Sequence, residues 1–222
     1  MSNQAYHPIA TGTDLTTALG IVDRLLTYAG NRTTVEVELA VRTDSHTAIG
    51  LLDGPGRRSV ELHATRDVID ALSPYLPAHD HRRTADGLGV NDGEGKAWLS
   101  IGPSDTAART ALAKLPPVPT EVNLVDVPLA LFDIRTIPNA EAAMVEWSLD
   151  RWPDVPELEL QADVKHAGIA LSVNSCGLWE LTPAGVGWCL YVVTRDSDEL
   201  RRHAAVAAAA VGCLVGGPPE RY

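Results

Sequence analysis

The stretch Gly187-Trp188-Cys189-Leu190-Tyr191-Val192-Val193-Thr194, followed by Arg195-Asp196-Ser197-Asp198-Glu199, decides how this chain is read. Its first part is an unbroken apolar, β-branched and aromatic run of strand length. Its second part carries a helix start, with Asp196 as cap and Glu199 three residues on. From Leu200 through Val211 the residues are apolar on nearly every face once Arg201, Arg202 and His203 are passed. A helix of that kind is covered on more than one side, and its alanines let a neighbour approach closely.

Working outward, weaker copies of this strand-and-helix unit stand upstream. Residues 49–67 align without a gap on residues 178–196, so that Thr65-Arg66-Asp67 falls on Thr194-Arg195-Asp196. Both read as hairpin, strand, helix cap. A looser version is Gly95-Lys96-Ala97-Trp98-Leu99-Ser100-Ile101 before Ser104-Asp105. These residue types are also what any turn or cap recruits, so the copies are a pattern to test and not a proof of duplication.

Between these points the periodicities predict a helix over 14–29 capped by Thr13, with Leu15, Leu19, Val22, Leu25 and Leu26 on one face and Gly30-Asn31 at its end. Residues 34–42 alternate and predict a half-buried strand. Strands are expected over 47–52 and 59–64, joined by Asp53-Gly54-Pro55-Gly56, then a helix to about Leu76. Residues 77–95 have no period and read as a long loop. A strand over 97–101 and a helix over 104–115 follow, then Pro116-Pro117-Val118-Pro119, a stiff segment unable to continue a helix. Beyond it the expected elements are strands within 121–136, a helix from Asn139 to Trp152, strands over 157–164 and 168–173, a hairpin at Pro183-Ala184-Gly185, and the terminal unit.

The fold class is therefore α+β, with antiparallel sheets and flanking helices. The layout admits two similar α-β-β-β-α subdomains about a pseudo-twofold axis, over 1–117 and 118–222, packed as one globular unit.

Charge narrows function. The 222 residues carry a net charge of −11, divided as −3 before Pro117 and −8 after it. Phosphate-backbone binding draws on Lys and Arg, so nucleic acid is a poor partner. The first residues lack the basic and apolar regions of a signal peptide, and the apolar run over 204–217 is shorter than a membrane span of ~20 residues. Three widely spaced cysteines, Cys176, Cys189 and Cys213, suit reduced thiols in a cytoplasm. No nucleophile elbow, phosphate loop or dinucleotide fingerprint occurs, and no cofactor is called for.

Two site readings follow. Glu146, Trp147, Asp150, Trp152, Asp154, Glu157 and Glu159 form an acidic, Trp-bearing stretch fit to engage a basic protein partner. Against this, both Trp residues fit equally well beneath a helix whose solvated face is acidic. The expected function is a non-catalytic cytoplasmic binding protein, of the immunity, secretion-chaperone or adaptor kind, with a homodimer open. The alternative is a small metal-dependent hydrolase using the loop from His79 to Glu94, with His79, His81, Asp86 and Asp92 as ligands. That set completes no zinc spacing, and Arg82 and Arg83 oppose a cation.

Overall fold

The structure is a computed structural model. It describes residues 4–30, 36–54, 57–65, 70–75, 83–84, 87–88, 90–91, 96–128, 142–163, 165–175, 178 and 183–221. In chain order the elements are β1 (Gln4–Gly12), α1 (Leu15–Ala29), β2 (Glu36–Asp44), α2 (Ser45–Leu51), β3 (Arg57–Thr65), the two-residue strands β4 (Arg83–Thr84), β5 (Gly87–Leu88) and β6 (Val90–Asn91), β7 (Lys96–Ile101), α3 (Thr106–Leu112), β8 (Pro119–Pro128), β9 (Ala142–Ser148), β10 (Gly168–Ser175), β11 (Pro183–Arg195), α4 (Asp198–Ala210) and β12 (Glu220–Arg221). The class is α+β, as the sequence predicts. No described helix is long and apolar enough to cross a membrane.

The chain forms two compact units. Unit 1 takes Met1–Glu38, Val127–Phe132 and Ala142–Tyr222; unit 2 takes Leu39–Asp126 and Asp133–Glu141. The Pro-rich segment at Pro117 lies inside unit 2, where it leads α3 into β8. There Ser45 N–H donates to the Val118 carbonyl and Val118 N–H to Ser45 Oγ.

Unit 1 is an antiparallel sheet in the order β12-β1-β11-β10-β9. Its centre is β11, where Leu190, Tyr191, Val192, Val193 and Thr194 are all buried. The continuous apolar run thus marks a strand covered on both faces. On one side of β11 runs β1, in register from Gln4↔Arg195 to Gly12↔Trp188, with a bulge after Pro8. Proline has no N–H to give a ladder, and a bulge is where a strand tolerates it. At the far end Gly12 is required: a Cβ there would sit 2.7 Å from the Trp188 ring, whose Nε1 donates to the Asp14 carbonyl.

Helices α1 and α4 pack on this sheet and on each other. Ala18, Ile21, Val22, Leu25 and Leu26 are the buried stripe of α1, at the spacing expected. Its cap is Asp14 rather than Thr13, and Gly30 ends it in the left-handed region at φ 74°. In α4 the buried residues include Ala204, Ala207 and Ala208, small enough to bring the helix close to β11. Its cap is Ser197, accepting from Leu200 N–H, and not Asp196, which is paired with Arg221 instead.

Two further expectations in unit 1 are corrected. Residues 142–148 form β9, paired with β10 from Ala143↔Val173 to Ser148↔Gly168, where a helix to Trp152 was predicted. Ala142 through Trp147 are buried without a break, so tertiary cover decides the strand against the helix preference of Ala and Met. Of the strand expected over 157–164, the described residues 157–163 hold instead the end of a short 3-10 turn and one side of two isolated bridges.

In unit 2 the sheet order is β2-β8-β3-β7-β6. Thr120, Val122 and Leu124 of β8 are buried and alternate with half-buried neighbours, as does β2 over Leu39, Val41 and Thr43. The expected strand over 47–52 is instead α2, capped by the Asp44 carboxylate. In the gapless match of 49–67 to 178–196, β3 over Arg57–Thr65 falls on residues 186–194 of β11. Of the helix predicted to Leu76, the described residues show helical 70–72 and a 3-10 turn at Ser73–Tyr75.

Candidate functional site

After β9 the chain of unit 1 leaves the sheet as a narrow arm over 149–163. Its root is Trp152, buried, whose indole N–H donates to the Val193 carbonyl at 2.7 Å. Trp152 bridges Asp163 and Val155 bridges Leu160, so the two sides of the arm are laced together. Between them Pro156–Leu158 make one 3-10 turn, closed by Glu159 at φ 55°. Helix α4 holds the arm from the side: Arg202 Nη2 donates to the Leu158 carbonyl at 2.8 Å, and His203 Nε2 lies 2.6 Å from the Gln161 carbonyl. At the root, the buried Asp163 carboxylate accepts from Lys165 N–H and Arg195 N–H, tying the arm to the end of β11.

The tip is built of Glu157, Leu158 and Glu159, all exposed, with Leu158 at 42% of its full accessibility. Asp150 and Asp154 are exposed on the same arm. Four of the seven predicted contact residues, Asp150, Asp154, Glu157 and Glu159, are thus brought onto one arm. The other three are buried. Trp147 and Trp152 are core residues at 2% and 1% exposure, and Glu146 is buried beside Tyr6, whose hydroxyl lies 3.2 Å from its Oε2. An indole sealed in this way gives a partner no surface. Leu158 is the exposed apolar side chain that sequence reasoning missed, and its signal was an apolar residue standing between two glutamates after a proline.

The candidate metal ligands His79, His81, Asp86 and Asp92 lie outside the described residues. Among the described residues no group of three or more His, Cys, Asp or Glu is placed to hold a metal ion. Cys176 is also outside them. Cys189 and Cys213 are unpaired and half-buried, and burial pushes the Cys189 thiol above its ordinary range, away from the reactive thiolate. His203, buried on α4, is engaged with the Gln161 carbonyl.

A concavity of unit 1, absent from the sequence reading, lies over β1. His7 is at its floor, Arg201 and Ala205 of α4 form one wall, and Val215, Pro218, Pro219 and Arg221 form the other; its volume is about 450 Å³. Gly216 N–H donates to the Pro8 carbonyl at 2.7 Å and β12 pairs with Ala5 and Tyr6, fixing that second wall onto β1. Compared with family models, curated proteins and solved structures, the chain matches none of them.

Proposed function

We propose that the chain is a non-catalytic binding protein of the cytoplasm that docks a basic protein segment on the arm over 149–163. The observation that supports this most is Leu158, exposed between two exposed glutamates on a turn that is laced internally and braced by Arg202. An apolar side chain held out from a fixed turn loses little freedom on contact, which favours association. Asp150, Asp154, Glu157 and Glu159 around it supply an attractive field for Lys and Arg, speeding encounter and excluding acidic competitors. Two roles divide there, with Leu158 giving apolar contact and the carboxylates giving steering and specificity. Trp152 serves by rooting the arm.

The test is a pull-down from host lysate with the parent chain and two variants, Leu158→Ser and the double charge reversal Glu157→Lys with Glu159→Lys. The parent is expected to retain a basic protein at low salt and release it as the screening length falls from about 10 Å at 0.1 M salt to about 3 Å at 1 M. Both variants are expected to lose it while keeping the parent's melting temperature. Retention of the same protein by the charge-reversed chain would overturn the reading.

A further inference from the structure

The cavity over β1 has a chemistry of its own. The Thr194 hydroxyl has one proton, and it donates that proton to the Arg195 carbonyl at 3.1 Å. Toward His7, 3.1 Å away, it is therefore an acceptor, and His7 Nε2 carries the hydrogen. In the neutral ring the lone pair then sits on Nδ1. Among the described residues nothing bonds to that atom, and the ring borders the cavity. Burial keeps the ring neutral, helped by the nearby Arg201 and Arg221 cations and opposed by Asp196, so that its pKa falls from 6.5 to about 4.

Around this acceptor stand two guanidinium groups. Arg221 uses Nε on the Asp196 carboxylate at 2.8 Å, which orients the group and leaves its remaining N–H edges turned from that bond. Arg201 faces the cavity from α4. Only seven Lys and Arg residues follow Pro117 in a strongly acidic chain, and two of them converge here. The rest of the wall, Ala205, Val215, Pro218 and Pro219, is apolar.

We propose that this cavity binds a small organic monocarboxylate that also carries a hydroxyl group: the carboxylate between Arg201 and Arg221, the hydroxyl donating to His7 Nδ1, and the apolar body against Val215 and the two prolines. An inorganic anion such as phosphate fits less well, because it leaves the apolar wall uncovered and turns mostly acceptor oxygens toward a lone pair. The cavity volume lies in the range that takes a small organic ligand.

The experiment is a titration of the full chain, labelled with nitrogen-15, at pH 7 with mandelate, 3-phenyllactate and 4-hydroxybenzoate. The backbone amides of Gly216 and Gly217 and the ring nitrogens of His7 are followed. At least one hydroxy acid is expected to shift these signals saturably at millimolar concentration. Arg201→Gln, at an exposed helix position, is expected to weaken it about tenfold or more. The matching acid without a hydroxyl, phenylacetate for mandelate, 3-phenylpropionate for phenyllactate or benzoate for hydroxybenzoate, is expected to bind more weakly, and phosphate not at all. Silence with all three hydroxy acids would overturn the proposal. So would unchanged affinity in Arg201→Gln, equal affinity for the hydroxyl-free acid, or phosphate saturating the same signals at lower concentration. Charge reversal at Glu157 and Glu159 leaves this titration unchanged, which separates it from the docking of a protein on the arm.

Discussion

Unit 1 and unit 2 each begin a helix in the same way and then do different things with it. Thr13-Asp14-Leu15-Thr16-Thr17-Ala18 opens α1, and Thr43-Asp44-Ser45-His46-Thr47-Ala48 opens α2. In both, the Asp carboxylate accepts from the backbone N–H groups two and three residues on, and from the hydroxyl of the Thr three residues on, Thr17 at 2.7 Å in one and Thr47 at 2.8 Å in the other. In both, the Ala that follows is fully buried. Yet α1 runs for 15 residues and α2 for 7. After its cap, α1 has an apolar stripe at helical spacing to bury. In α2, Ile49 and Leu51 are only half-buried, Gly50 weakens the helix, and Asp53-Gly54 turns the chain away. A cap decides where a helix starts; the buried stripe decides how far it goes.

The sharpest way to break this contrast is to cut the stripe. Leu25→Ala, at a position with no exposure, is expected to cost about 2–5 kcal/mol in urea unfolding. Ile49→Ala in α2 is expected to cost about 1 kcal/mol or less, in line with partial burial. Equal losses would show that both helices are held by packing to the same degree.

A second contrast lies in the histidines. His46 is exposed and its Nε2 lies 2.9 Å from the Leu115 carbonyl, whereas His7 is buried with its pKa lowered to about 4. A histidine lowered in the native state binds its proton first in the unfolded chain. The stability it contributes is therefore complete above about pH 6.5 and is lost as pH falls toward 4. Across that window the loss is on the order of 3 kcal/mol. Unfolding followed at pH 7, 5.5 and 4.5 should show it in the parent and in His46→Gln, but with a flattened slope in His7→Gln. A slope unchanged by His7→Gln would assign the acid sensitivity elsewhere.

The smallest effect sharpens the likeness itself. Asp14→Ala and Asp44→Ala should each lower the melting temperature by a few degrees. Their hydrogen bonds hold both carboxyl groups below the ordinary Asp range. The caps are thus intact above that range and fail only as pH falls through the lowered native values, below the histidine window. A marked inequality between the two would mean that equal geometry hides unequal surroundings.

The same particulars show what could be read in the residues alone. Helix α1, the alternation of β2 and the run of β11 into α4 were legible because each repeats at its own period over many residues. Strand β1 was not: Gln4–Gly12 holds a proline and few large apolar residues, and its pairing with β11 makes it a strand. Strand β9 was read as a helix because its Ala and Met side chains favour one, while its burial on both faces comes from the fold. Of the arm, the carboxylates were legible as a run of charge. The burial of Trp147 and Trp152 was not, since a Trp looks alike in a sequence whether it roots a loop or faces solvent. The His7 cavity draws on β1, α4 and the segment after it, so no local motif announces it.

Strand β1 also sets a constraint on how the molecule is made. Its partner β11 lies about 180 residues further along, so on a ribosome adding roughly 5–20 residues per second β1 waits on the order of ten seconds or more for its neighbour. Residues 39–126, by contrast, come off as one uninterrupted piece that can collapse meanwhile. A nascent segment kept open for that long, with Tyr6 and Ile9 bare, is an opportunity for misassociation and for whatever helper factors the cell stations at the exit tunnel.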